Sequence, residues 1–454
     1  MPNTAPRSIV VIDVGATNAK VVQIGPDLTI MQDRSVPVAP LDGGLYQILD
    51  SEAVLNFASA AILDFDRRTS VDAIVPCTHG SALALLTADG ELALPMMSYL
   101  ARVPDDIAQI YDTIAPAFDE VRAPTNPGAL TLGRQLLWQE TYWPDAFAQV
   151  DSILPYAQYI AFRLCGVRAT EVSAMGAQTH LWAPEARAYS SLARVRGWDS
   201  LFPPMRAADD VLGQIRDMEL TGRGDVLCGV HDSNANYVRY LSGGPMVLLS
   251  TGTWIIAFDS DGSIMGLDGA RDQVSNTTVS GAPVACARFM GGEEYARIAG
   301  RDNPHRASVA GVAALVRDGV MALPSFTDSG GPVPHRGGRG EILGTSSIME
   351  EALANLATLY TAQMTSVALD ALGRTEKVVV DGPFATNIAF LQTLCALMPG
   401  RRILRALEAQ GTALGSASLA IGAAAPEPRI DPVATPDIPG LEAYHHHWMA
   451  AAIA

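Results

Sequence analysis

The chain has 454 residues, and its 31 Lys and Arg against 48 Asp and Glu leave a formal charge of −17. Such an acidic surplus, with no basic block, lacks the electrostatic footprint that nucleic acid or an anionic membrane surface requires, and no apolar run reaches the roughly 18 residues needed to span a bilayer. A hydrophobic content of 48% supports large cores, and because single cores stop growing near roughly 250–300 residues, two or three domains are expected.

Met1–Arg7 carries neither a basic start nor an apolar stretch of the secretory kind, which predicts a cytoplasmic protein. The next feature is the apolar run Ser8–Val14, with Asp13 near its end, followed by the turn Gly15–Ala16–Thr17–Asn18 and a β-rich run Ala19–Ile24. This reads as strand, Gly-containing turn, strand. Ala73–Cys77 and Ala82–Leu86 are strand-like, while Gly133–Glu140 and Ser152–Leu164 carry helical periodicity, so the first half is α/β. The hairpin pattern recurs at Met246–Leu249, Ser250–Thr251–Gly252–Thr253 and Trp254–Phe258, with the two glycines 252 − 15 = 237 residues apart. Two domains of similar plan, joined near Gly243–Gly244–Pro245, follow from that repetition.

Farther on, Pro324–Gly344 holds six glycines and three prolines and reads as a long surface loop. Glu351–Leu372 places Leu353, Leu356, Tyr360, Met364, Val367 and Ala371 on one helical stripe, and leads into the buried-type strand Lys377–Val380 and the turn Asp381–Gly382–Pro383. Ala423–Pro439 is a Pro-rich exit, and His445–His447 reads as a solvated end rather than a metal tract. The five cysteines, Cys77, Cys165, Cys228, Cys286 and Cys395, are isolated, which suggests small buried hydrophobes instead of disulfides or a zinc site.

Several of these segments can do chemistry. In Asp13-x-Gly15-x-Thr17-x-x-Lys20, glycine lets backbone approach an anion, turn N–H groups and the Thr17 and Asn18 side chains can donate to phosphate, Lys20 adds positive charge, and Asp13 can hold Mg²⁺ through water. Ser250–Thr253 offers the same donors without a carboxylate. Each turn alone is also a plain hairpin; two of them facing each other across a cleft could grip a polyphosphate from both sides. Gly229–Ala235 ends an apolar run and begins a helix, so Asp232 or Ser233 is either an N-cap or, for Asp232, a base for a hydroxyl during phosphoryl transfer, with His231 and Asn234 beside it. Thr78–His79–Gly80 closes a strand where α/β proteins place ligand contacts, although a lone histidine is as readily a core residue.

Taken in order, these segments resemble the FGGY carbohydrate kinases of the actin/hexokinase/Hsp70-like ATPase superfamily, from Ile9 to about Gly422. The carriers are Ile12–Lys20 (IDVGATNAK), Gly229–Ala235 (GVHDSNA) and Leu249–Trp254 (LSTGTW), with support from Tyr156–Gly166 (YAQYIAFRLCG) and Leu414–Ala424. The resemblance implies an α/β fold of two ribonuclease-H-like domains with a cleft between them: an N-terminal kinase domain over 1–242, a C-terminal kinase domain over 243–425, and a tail over 426–454. It further implies ATP-dependent phosphorylation of a ketose hydroxyl. Asp232 would be the general base; Asp13 and Asp232 would place Mg²⁺; and Gly15, Ala16, Thr17, Asn18, Lys20, Gly252 and Thr253 would hold ATP phosphates. Gly382 and Asn387 would lie near the adenosine, and His79, Gly80, His231 and Ser233 near the sugar.

The His231–Asp232 pair and Ser250–Trp254 look most similar to the rhamnulokinase and fuculokinase side of the family, which favours a small ketose, rhamnulose-, fuculose- or xylulose-like, with a 6-deoxyketose among the candidates. A homodimer is compatible with the resemblance. Two departures stand out: Val380–Asp381–Gly382–Pro383 replaces the family's Gly-rich run before the adenosine helix, and Pro95–Tyr99 lacks the family's tryptophan. Two other functions remain open at this stage, a non-catalytic sugar-sensing or scaffolding protein on the same fold and a sugar-independent ATPase.

Overall fold

The computed structural model describes residues 6–328, 331–344 and 349–453, so Met1–Ala5 and residues 329–330 of the expected loop lie outside the described residues. The chain forms two compact units. The first comprises 1–239, 275–283 and 411–427, the second 240–274, 284–410 and 428–454.

In the first unit the predicted hairpin forms as strands Ile9–Val14 and Asn18–Ile24, extended by Ile30–Pro37 into an antiparallel trio. Ile9, Val10 and Val11 have no exposed surface, the burial expected of a central strand covered on both faces. Ala73–Thr78 pairs with Ile9–Val14 in parallel, and Asp225–Leu227 and Val230–His231 continue the sheet beyond it, also in parallel. The helix Ser51–Asp66 starts where Asp50 Oδ1 accepts from Ala53 N at 2.9 Å.

The segment expected as one helix from Ser152 is divided. Ser152–Pro155 is a strand antiparallel to Leu83–Leu86, and the helix is Tyr156–Cys165. Pro155, with φ −59° and ψ 156°, is extended and cannot donate to a preceding turn, so the helix begins after it and ends at Gly166 in the left-handed region.

The second unit repeats the plan. Val247–Thr251, Ile255–Asp259 and Pro283–Phe289 form the antiparallel trio, and Lys377–Asp381 and Arg402–Ala406 add in parallel. The long helix Glu350–Leu372 matches its apolar stripe, with Leu356, Tyr360 and Met364 fully buried. Loop 324–340 is flanked by a short antiparallel pair, Met321–Leu323 with Glu341–Leu343.

Residues 428–454 differ from the expected tail. Ile430–Pro432 pairs with Arg402–Ala406, and Leu441–Ile453 is a helix whose Trp448 is fully buried and donates Nε1–H to Ala322 O at 2.6 Å. His445 is half-buried and stacks on Trp448 with ring centroids 5.8 Å apart, while His446 and His447 are exposed. Leu441, Tyr444, Trp448 and Ala452 form the buried face that holds this helix down. All five cysteines are free and buried.

No helix among the described residues is long and apolar enough to cross a membrane.

Candidate functional site

The site in the first unit is assembled by sheet register. Asp13 is paired on one side with Lys20 and on the other with Cys77, which in turn faces Val230; on the next rung Val14 pairs with Thr78, and Thr78 with His231. Four strands thus carry Lys20, Asp13 and the His231–Asp232 dipeptide to one sheet end. His79 follows directly, its N–H bonded to Val14 O at 3.0 Å.

Asp13 is the electrostatic centre of this group. Burial, and then the charge of Asp232, push its carboxyl up to about 7, against the opposing pull of Lys20. Asp232 is the first residue of the helix Asp232–Val238, whose N-cap is His231, not Asp232 or Ser233. Its Oδ1 accepts from Ser233 N at 2.6 Å and from Ser233 Oγ at 3.2 Å, and lies 3.2 Å from His231 Nε2. Burial holds the His231 imidazole below its ordinary pKa and takes His79 down to about 4, so both rings are neutral at neutral pH. A side chain at Gly80 would put its Cβ 2.9 Å from both His231 Cδ2 and Ala177 Cβ, so only glycine lets His231 lie there.

The turn itself is tight: Gly15 N donates to Asn18 O at 3.0 Å, and Ala16, Thr17 and Asn18 project into solvent. A cavity of about 240 Å³ opens beside it, lined among others by Gly15, Ala16, Val38, His79, Tyr99 and Tyr156. Tyr99 was absent from the sequence-derived candidates. Its ring meets His79 edge-on at 5.3 Å, and burial together with the Asp232 charge raises its hydroxyl pKa. The one available signal was its position at the end of Pro95–Tyr99, where the FGGY tryptophan is missing.

In the second unit, Gly252 N donates to Trp254 O at 2.8 Å, and Thr253 is exposed at the tip of the turn. Thr251 Oγ1 donates to Asp381 O at 2.5 Å and accepts from Phe384 N at 3.1 Å, tying this turn to Gly382. Asn387 caps the helix Ile388–Leu397, with Oδ1 accepting from Phe390 N at 3.1 Å and Nδ2 donating to Thr358 Oγ1 at 3.3 Å.

The first unit thus holds two adjoining carboxylates, a lysine and a donor-rich turn, and the second unit holds a donor-rich turn of its own. Residues 243–429 match the family model for the C-terminal domain of FGGY carbohydrate kinases. Over these residues the chain is similar to the FGGY carbohydrate kinases. Over 99% of both chains it is similar to a carbohydrate kinase from Novosphingobium aromaticivorans, at 29% identity and a TM-score of 0.89. A gluconate kinase from Lactobacillus acidophilus (16% identity, 98% of this chain and 97% of that one, TM-score 0.81) has the same fold. So does a ligand-bound xylulose kinase from the same organism (16% identity, 98% and 96%, TM-score 0.79). No curated protein sequence matches the chain. The two-unit α/β architecture is therefore that of FGGY kinases, with the actin/hexokinase-like plan of an antiparallel trio and parallel strands built twice.

Proposed function

We propose that this chain transfers the γ-phosphoryl group of ATP to a hydroxyl of a small ketose, with Asp232 as the general base. The observation that carries the reading is the register-built cluster: Asp232 stands beside Asp13, Lys20 and two neutral histidines, one of which, His79, also lines a cavity of about 240 Å³.

Each residue has a part. Asp232 accepts the proton of the attacking hydroxyl, orienting it as the loose transition state of phosphoryl transfer develops. His79 Nδ1 faces the N–H of Ser81 at 3.4 Å, which leaves its Nε2–H as a donor for a sugar oxygen; Gly80, His231 and Ser233 are assigned to the same sugar. Lys20, the exposed turn Gly15–Asn18, Gly252 and Thr253 are assigned to ATP phosphates, and Gly382 to the adenosine.

The donor set suits magnesium. Among the described residues no group of three or more His, Cys, Asp or Glu could hold a metal ion, but Mg²⁺ needs only one or two carboxylates alongside water and substrate phosphates. The mutual repulsion of Asp13 and Asp232 is what a divalent cation at their side would relieve, and these two residues would hold it. When bound, Mg²⁺ supplies neutralisation of charge on the β- and γ-phosphates.

The cavity also carries an apolar wall, Val38, Pro40, Leu41 and Leu100. A methyl end finds apolar contact there, which supports a 6-deoxyketose of the rhamnulose or fuculose kind alongside xylulose. The test is ADP release with rhamnulose, fuculose, xylulose, ribulose, erythrulose and glycerol, for the wild type and for Asp232→Asn. Turnover is expected to require sugar, and the variant to lose about 10²–10⁴ in kcat while still binding ATP. Near wild-type turnover by Asp232→Asn would remove the base assignment; equal ADP release without sugar would indicate a plain ATPase, and none with any acceptor a non-catalytic protein.

A further inference from the structure

The polarity of the hydrogen bonds around Asp232 can be traced from a single fixed donor. The backbone N–H of Thr277 points at Asn276 Oδ1 at 2.8 Å, and a peptide N–H can only donate, so that atom is an acceptor. Asn234 Nδ2 lies 3.2 Å from the same oxygen and 3.1 Å from His231 Nδ1. The reverse amide orientation would set Asn234 oxygen against Asn276 oxygen, so the donor must face both partners. His231 Nδ1 is then an acceptor, its proton sits on Nε2, and Nε2 faces Asp232 Oδ1 at 3.2 Å. Asn234 and Asn276 are both buried, at 1% and 2% exposure, so water does not compete for these contacts. Ser173 Oγ accepts the His231 N–H at 3.3 Å and is itself held by Glu171 Oε2 at 2.6 Å, which fixes the backbone under the ring.

We infer that Asn276 and Asn234 are positioning residues that lock His231 as its Nε2–H tautomer, so that Asp232 Oδ1 is saturated by His231 and Ser233 and Oδ2 is the oxygen presented to the acceptor hydroxyl. This rests on the reading of Asp232 as the base and adds which of its oxygens acts and what holds it. The opposite tautomer would turn a ring lone pair toward Oδ1, repel the carboxylate and release both its oxygens from a defined direction. Neither asparagine touches the acceptor in this scheme.

The experiment is imidazole ¹⁵N–¹H correlation spectroscopy on the full-length protein at neutral pH, with the His231 signals assigned by their loss in His231→Gln, alongside steady-state kinetics. The wild type is expected to show a single Nε2–H pattern at His231. Asn276→Leu, which removes the relay acceptor, is expected to lose that single pattern and about tenfold in kcat with KM for ATP unchanged, and Asn276→Asp, which restores the acceptor, to recover both. A wild-type His231 protonated on Nδ1, or a folded Asn276→Leu that keeps a pure Nε2–H pattern, overturns the lock. Because the tautomer is read without turnover, an active Asp232→Asn would overturn the role given to Oδ2 and would be told apart from failure of the lock.

Discussion

The two hairpin turns stand at corresponding places of a strand plan used twice, yet they are held by different chemistry. In the first unit the parallel strand beside the hairpin brings Cys77 and Thr78 against Asp13 and Val14, and through them His231 and Asp232. There the hydrogen bonds of Asp232 fall on its Oδ1. In the second unit the equivalent parallel strand ends at Asp381, whose Oδ2 accepts from Tyr240 Oη at 2.8 Å and whose Oδ1 accepts from Gly382 N at 2.6 Å. Both of its oxygens are spent on the fold. The repeated scaffold therefore does not by itself make a reactive carboxylate; what matters is whether neighbouring elements saturate it or leave one side open.

The sharpest break of this comparison uses Gly382, in the bend bonded to the second hairpin, and Gly15. Gly382 has φ +90°, and a Cβ there would sit 2.0 Å from Thr251 O, a backbone atom that cannot move aside. Gly382→Ala is expected to cost more than about 3 kcal/mol, adding overpacking to a left-handed backbone that alanine resists. At Gly15 the nearest atom to a built Cβ is Asn18 O at 3.6 Å, an ordinary contact. Gly15→Ala is expected to stay within about 1 kcal/mol of wild type. Urea unfolding of both variants checks the pair; equal losses would mean that the bend at Gly382, which Thr251 ties to the second hairpin, is no more tightly packed than the Gly15 turn.

Buried carboxylates sharpen the same contrast. Glu171 in the first unit is fully buried, and desolvation raises its carboxyl from 4.5 to about 7 even though Ser173 N, Ser173 Oγ and Ala174 N all donate to it. In the second unit buried Glu294 accepts from Tyr360 Oη at 2.6 Å and from Thr327 Oγ1 at 2.9 Å. For Glu171 the folded state keeps a proton that the unfolded chain has released, so its contribution is complete below pH 4.5 and is lost as pH rises to about 7. The span of 7 − 4.5 pH units corresponds to at most about 3 kcal/mol. Unfolding free energies measured across that window for the wild type and Glu171→Gln should diverge, the variant lacking this fall. Parallel curves would show that Glu171 does not titrate on folding.

Much of the fold could be read in advance because its signals are local. A Gly turn between apolar runs marked both hairpins, and a sustained stripe marked Glu350–Leu372. Ser152–Pro155 misled because a short apolar run fits helix and strand alike, and strand Leu83–Leu86, far away in sequence, chose between them. The terminal helix was hidden by His445–His447, although Leu441, Tyr444, Trp448 and Ala452 carry a helical spacing. At the site, motif order named Asp13, His79 and Asp232 but said nothing of Tyr99, Glu171 or Asn276. Asn276 meets Asn234 across a separation of 42, which no local pattern encodes, while Glu171 is a cap of the short helix Val172–Met175 that the sequence reading passed over.

The smallest expected effect separates two roles at one residue of the second unit. The FGGY resemblance puts Asn387 near the adenosine, while the structure spends its Oδ1 on the N–H of Phe390 and its Nδ2 on Thr358. Removing an N-cap costs about 0.5–2 kcal/mol, and serine is about as good a cap as asparagine. Asn387→Ala is therefore expected to lose about 1 kcal/mol of stability, Asn387→Ser to recover most of it, and neither to change KM for ATP. A raised KM for ATP in both variants at unchanged stability would assign the side chain to the nucleotide, and would show that this second-unit residue, unlike Asp381, has a polar atom to spare.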